Sequence, residues 1–125
     1  KRFIVTIALV VFALLPGCTR QVGWVGLNYG NVFDVSYQFF DGNKIERIQA
    51  NAGDTFNLTY DIDVDDGALR LELLDPDREL VWEASFLEDH DEALSFQVVK
   101  SGRYTLRIIG EQTKGGFELR WEIKD

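Results

Sequence analysis

Two acidic stretches and one cysteine hold most of the residues in this 125-residue chain whose types could do specific chemistry. In Tyr60-Asp61-Ile62-Asp63-Val64-Asp65-Asp66-Gly67 the carboxylates are spaced as in a calcium loop. With Asp61 at position 1, Asp63 falls at 3, Asp65 at 5 and Glu72 at 12. Position 6, where such a loop turns on glycine, is Asp66, and Gly67 comes one residue late. Ile62 and Val64 continue the alternation of Phe56, Leu58 and Tyr60, so a strand with water-facing carboxylates is expected and no metal site is assigned. An isolated calcium site at the Asp65–Gly67 turn is the remaining metal reading. Glu88-Asp89-His90-Asp91-Glu92 gathers four carboxylates around the only histidine and could attract a divalent cation. An imidazole with no second His or Cys is a poor transition-metal ligand set, so a solvated loop is expected here too.

Catalysis has little to build on. Ser36, Ser85, Ser95 and Ser101 lie in no Gly-x-Ser-x-Gly elbow, and no catalytic residue or cofactor is assigned. Paired carboxylates are numerous, but the chain is small for a glycosidase cleft. Trp24, Trp82 and Trp121 could stack on sugar rings. Trp82 and Trp121 share parity with the apolar positions of their runs and are expected in the core, whereas Trp24, Tyr29 and Phe40 are expected to be exposed. With 13 Lys+Arg against 21 Asp+Glu, net charge is −8, which argues against nucleic acid as a partner.

The single cysteine has a different context. Lys1 and Arg2 precede an apolar run from Phe3 to Leu15, broken only by Thr6. Thirteen residues span about 20 Å as a helix, short of the ~30 Å hydrocarbon core, so a secretory signal helix is expected rather than a membrane span. Leu15-Pro16-Gly17-Cys18 then resembles the lipobox of bacterial lipoproteins, with Leu at −3, a small Gly at −1 and Cys at +1; Pro16 departs from the usual small residue at −2. The resemblance implies cleavage between Gly17 and Cys18 and a thioether-linked lipid on Cys18. It makes the membrane a partner through that lipid, on the outer face of the cytoplasmic membrane, or on the outer membrane where there is one. Past the signal, 11 basic against 21 acidic residues leave −10, so lipid and not a basic patch must hold the domain to an anionic bilayer.

The elements that must position these residues follow a period of two. Phe33/Val35/Tyr37/Phe39, Phe56/Leu58/Tyr60/Ile62/Val64, Leu69/Leu71/Leu73, Leu80/Trp82/Ala84, Leu94/Phe96/Val98, Tyr104/Leu106/Ile108 and Phe117/Leu119/Trp121/Ile123 each alternate with mostly polar neighbours. Turns are expected at Asp41-Gly42-Asn43, Asn51–Asp54, Asp65-Asp66-Gly67, Asp75-Pro76-Asp77, Lys100-Ser101-Gly102 and Gly115-Gly116. Phe86–Ala93 reads as a loop. These features predict an all-β fold, a single antiparallel β-sandwich of seven to nine strands, jelly-roll or Greek-key like, with an up-and-down barrel as the alternative. The expected divisions are a signal peptide over 1–17, a lipid-anchored linker over 18–31 and the sandwich over 32–125. Val22–Gly30 is an aromatic edge strand or a tether at the membrane interface.

Ser101-Gly102-Arg103-Tyr104-Thr105-Leu106-Arg107-Ile108 and Gly115–Trp121 resemble the closing hairpin of bacterial pre-peptidase C-terminal domains. Together with Leu71–Pro76 they also resemble uncharacterised one-domain lipoproteins of Gram-positive bacteria. That resemblance implies a non-catalytic domain. The expected function is thus a lipid-anchored envelope interaction or structural module whose partner is an envelope protein or a glycan. The alternative is a module that binds glycan or calcium as its ligand.

Overall fold

The computed structural model describes residues 19–125. The expected signal helix, Gly17 and Cys18 lie outside the described residues. No helix among the described residues is long and apolar enough to cross a membrane. Seven antiparallel strands follow in order: β1 (Arg20–Val22), β2 (Val25–Tyr29), β3 (Val32–Ala50), β4 (Thr55–Leu74), β5 (Leu80–Phe86), β6 (His90–Gln97) and β7 (Gly102–Lys124). The fold is the expected β-sandwich, made by one sheet bent over on itself.

Three strands are far longer than the usual 5–6 residues, and each serves both layers. β7 lies between β3 and β4 along its whole length. Its C-terminal half pairs with the N-terminal halves of β3 and β4, Phe117 meeting Val35 on one side and Ile62 on the other. Its N-terminal half pairs with their C-terminal halves, Leu106 meeting Glu46 and Leu73. β2 and β6 extend the first layer, β5 extends the second, and β1 pairs with β3 at Phe39–Asp41, beside the bend.

The bends fall where three turns were expected, and this corrects the sequence reading. Asp41-Gly42-Asn43, Asp65-Asp66-Gly67 and Gly115-Gly116 do not reverse the chain; register shifts between Tyr37 and Gly42 and between Val64 and Ala68 mark bulges inside continuous strands. A bulge inserts a residue and bends its strand, so aligned bulges fold a sheet over. Gly67 at φ 73° and Gly115 at φ 144° supply the backbone that side chains resist. A Cβ on Gly67 would fall on the Gln112 carbonyl oxygen and one on Gly115 on that of Asp63, so the strands touch at these points. The turns at Asn51–Asp54 and Asp75–Glu79 do close as expected, through Asp54 N to Asn51 O (3.0 Å) and Arg78 N to Asp75 O (2.9 Å).

The bulge in β3 also explains two exposure errors. Burial alternates through Phe33, Val35 and Tyr37, then shifts phase, so that Phe40 and not Phe39 points inward. Phe40, expected to be exposed, is fully buried, its ring passing over Gly110. Trp24 is half-buried, stacked on Tyr37 at 5.5 Å with the Lys44 ammonium 5.0 Å above it. Tyr29 is exposed as expected, and Trp121 is buried. Tyr37 ends in this aromatic cluster with its hydroxyl buried, and burial pushes its pKa up to about 12. Between the layers lie Leu58, Ile62, Leu71, Leu106, Ile108 and Leu119, all with no exposure. Each such side chain contributes about 1.5–3 kcal/mol through burial.

Candidate functional site

β5 and β6 both pair with β4, but along different stretches. β5 follows Leu69–Leu74 in one layer and β6 follows Thr55–Ile62 in the other. The chain crosses between layers through Leu87-Glu88-Asp89 only, because His90–Ala93, expected to be loop, are the first half of β6. Asp89 fixes the crossing by accepting a hydrogen bond from the Val64 amide at 2.9 Å. The two edge strands part at this end and leave an open cleft of about 670 Å³, within the usual size of a small-ligand site.

Strand parity decides what lines it. On β6 the residues on the core side run Phe96, Leu94, Glu92, His90, opposite Phe56, Leu58, Tyr60 and Ile62 of β4. The inward row thus changes from apolar to polar where the layers separate. β5 contributes Ala84 and Phe86 from its inward row, with Trp82 packed against Tyr60 at 5.6 Å. Tyr60 and Phe86 are nearly buried and form the floor, their ring centroids 5.6 Å apart. His90 caps the floor, stacked on Phe86 at 5.5 Å and 29°. Leu87 at the rim is 78% exposed.

The polar groups of the cleft converge on Glu92. The Tyr60 hydroxyl donates to Glu92 Oε2 at 3.2 Å, and His90 Nε2 lies 3.0 Å from the same oxygen. Both contacts use Oε2, which leaves Oε1 to meet a ligand. Hydrogen bonds from His90 and then Tyr60 hold the Glu92 carboxyl below its ordinary range, while burial, followed by the Glu92 carboxylate, raises the Tyr60 phenol. Glu92 therefore stays an ionised acceptor at lower pH than an ordinary glutamate. The arrangement offers the exposed His90 ring, backed by buried Tyr60 and Phe86, for an apolar ring face, and the Glu92 carboxylate, with Glu88 and Ser85 at its margin, for hydroxyl groups.

Other positions singled out from sequence are scattered. Asp61 and Asp63 project from the outer face of the first layer, beside Asp34 and Glu118, while Asp65 and Asp66 sit in the bulge. Burial, followed by repulsion from Asp89, Asp61 and Asp65, raises the Asp63 carboxyl. Glu72 lies on the other layer, 3.0 Å from the Arg107 guanidinium, so the spacing of a calcium loop is not reproduced in space. Among the described residues, no three His, Cys, Asp or Glu side chains are placed to hold a metal ion. Ser85 borders the cleft, whereas Ser36, Ser95 and Ser101 lie elsewhere. The role of Phe86 escaped the sequence reading because the apolar set of β5 stopped at Ala84; Phe86 continues its parity.

No protein-family model matches the chain, and no curated protein matches it in sequence. Solved structures do share its fold. The carbohydrate-binding module TmCBM61, determined with β-1,4-galactotriose, superposes with a TM-score of 0.52 at 13% identity over 80% of this chain and 75% of its own. A CBM4 structure gives 0.52 at 12% identity over 85% and 77%. The chain is similar to both in its β-sandwich.

Proposed function

We propose that this chain is a non-catalytic glycan-binding module, anchored to the bacterial envelope through lipid on Cys18. The observation that carries the binding reading is the cleft between β5 and β6. Its aromatic floor of Tyr60, Phe86 and His90 lies beside the Glu92 carboxylate. A sugar ring has an apolar face and peripheral hydroxyls, and it needs this pairing of aromatic surface with charged acceptors. The fold shared with carbohydrate-binding modules supports the choice of glycan over a protein partner. Glu92 also opposes a hydrolytic role. A glycosidase acid needs a carboxyl raised toward neutrality, and here hydrogen bonding holds it down.

Titration with a panel of short oligosaccharides of galactose, glucose, xylose and N-acetylglucosamine tests the binding. At least one class should bind, and Glu92→Gln should weaken it ~10–100-fold, the loss expected for a charge-assisted hydrogen bond. Failure of the whole panel, or equal binding by Glu92→Gln, would remove the reading.

The anchor has its own test, because it rests on the resemblance of Leu15–Cys18 to a lipobox. Mass spectrometry of the membrane-extracted protein should find an acylated N-terminus at Cys18, and Cys18→Ser should accumulate as precursor. A free thiol at Cys18 in that material would contradict it. The several chains of a bacterial lipoprotein would hold the −10 domain where its own charge would not.

A further inference from the structure

We propose that the outer face of the second layer binds an anionic polysaccharide, one bearing carboxylate or phosphate groups along its chain. The starting observation is a segregation of charge. Residues 19–125 contain 11 Lys+Arg against 21 Asp+Glu, yet Arg47, Arg78, Arg103 and Arg107 line one shallow cavity of about 330 Å³. β3, β7 and the turn after β4 bring them together. Arg47 pairs across the sheet with Thr105, which lies between Arg103 and Arg107 on β7, and Arg78 comes from the Asp75–Glu79 turn. Among the described residues, Arg47, Arg78 and Arg103 have no carboxylate within 4.0 Å.

The two carboxylates nearest this cavity are already engaged. Asp75 Oδ1 accepts the Asp77 and Glu79 amides at 2.8 and 3.0 Å, and Lys100 Nζ lies 3.2 Å from Oδ2. Glu72 is held by Arg107 at 3.0 Å. The remaining guanidinium groups present forks that fit carboxylate or phosphate in bidentate fashion. The opposite outer face carries Asp34, Asp61, Asp63 and Glu118, so a polyanion is attracted to one side of the domain and repelled from the other.

The recess selects the kind of polyanion. The unpaired Arg47, Arg78 and Arg103 meet at this one recess from two strands and a turn, which suits charges carried in single file. A duplex or a bilayer presents a broad charged surface, of which a recess of about 330 Å³ admits only a small part. The acidic face of a second copy, with Asp34, Asp61, Asp63 and Glu118, is the competing occupant. This face is separate from the cleft, so the inference stands or falls independently of the reading above.

Binding of the full chain to polygalacturonate, with uncharged galactan as the control, tests it. Polygalacturonate should bind, more weakly as salt rises, and galactan should not bind at this face. The pair Arg47→Glu with Arg103→Glu should lose at least ~10-fold in affinity, and the neutralising pair Arg47→Gln with Arg103→Gln nearly as much. Arg120→Glu, on the opposite face, changes net charge as much as Arg47→Glu alone, and it should stay within ~2-fold. Equal losses in Arg120→Glu and Arg47→Glu would reduce the effect to net charge and overturn the proposal. Preference for anionic vesicles or for an oligonucleotide over polygalacturonate would also overturn it. So would concentration-dependent self-association that both Arg47→Glu and Asp61→Lys abolish.

Discussion

Leu119→Ala should lower the free energy of unfolding by about 2–5 kcal/mol, read from the shift in a urea denaturation midpoint. Leu119 has no exposure and sits in β7 between Phe33 of β3 and Tyr60 of β4. Truncation there removes its burial and leaves a cavity that two paired strands cannot close. Leu87→Ala is the matched control, because Leu87 is 78% exposed and should change stability by no more than ~0.5 kcal/mol. Equal effects at the two positions would show that the inward row of β7 has been assigned to the wrong face.

Gly115→Ala is expected to cost about 2–5 kcal/mol, combining a strained backbone with an overpacked contact. Its φ of 144° disfavours any side chain, and a Cβ would fall on the Asp63 carbonyl oxygen where β4 and β7 bend together. Gly53→Ala separates the two contributions. Gly53 has φ 96° but open space around its Cβ position, so only the conformational cost of about 1–2 kcal/mol should appear. The difference between these variants measures how tightly the sheet is folded at its bend. A Gly53→Ala loss as large as that of Gly115→Ala would mean that the bend is not close-packed.

The strands and most of the core could be read from the alternation, because one buried face imposes a strict period of two. Phe33, Leu58, Leu71, Leu106 and Leu119 all point where their parity places them. The bends could not be read in the same way. Asp-Gly and Gly-Gly are the chemistry of a turn and equally that of a bulge, since both need positive φ. Whether the chain reverses at Gly67 or continues into Leu69 depends on β7 running alongside both halves of β4, a long-range pairing that local sequence does not contain. Phe40 was misplaced for the same reason, since a bulge shifts the phase of every residue after it.

The cleft was legible only in pieces. His90 and the carboxylates around it stood out by composition, and Tyr60 stood out as a core residue of its strand. That Tyr60 pairs opposite Glu92, with Phe86 arriving from the other layer, is set by the register of β6 on β4 and by the short crossing at Leu87–Asp89. The arginine face stayed hidden because Arg47, Arg78, Arg103 and Arg107 are spread over sixty residues of a chain that is acidic overall.

The most direct test of the central claim is backbone amide NMR during titration with whichever oligosaccharide of the panel binds. The expected result is a set of shifts that saturate together and map to Tyr60, Ala84–Glu88 and His90–Glu92, and that disappear in Glu92→Gln. Saturable shifts confined to the outer faces of the sheets, with the residues of the β5–β6 crossing unmoved, would contradict the assignment of this cleft as the glycan site.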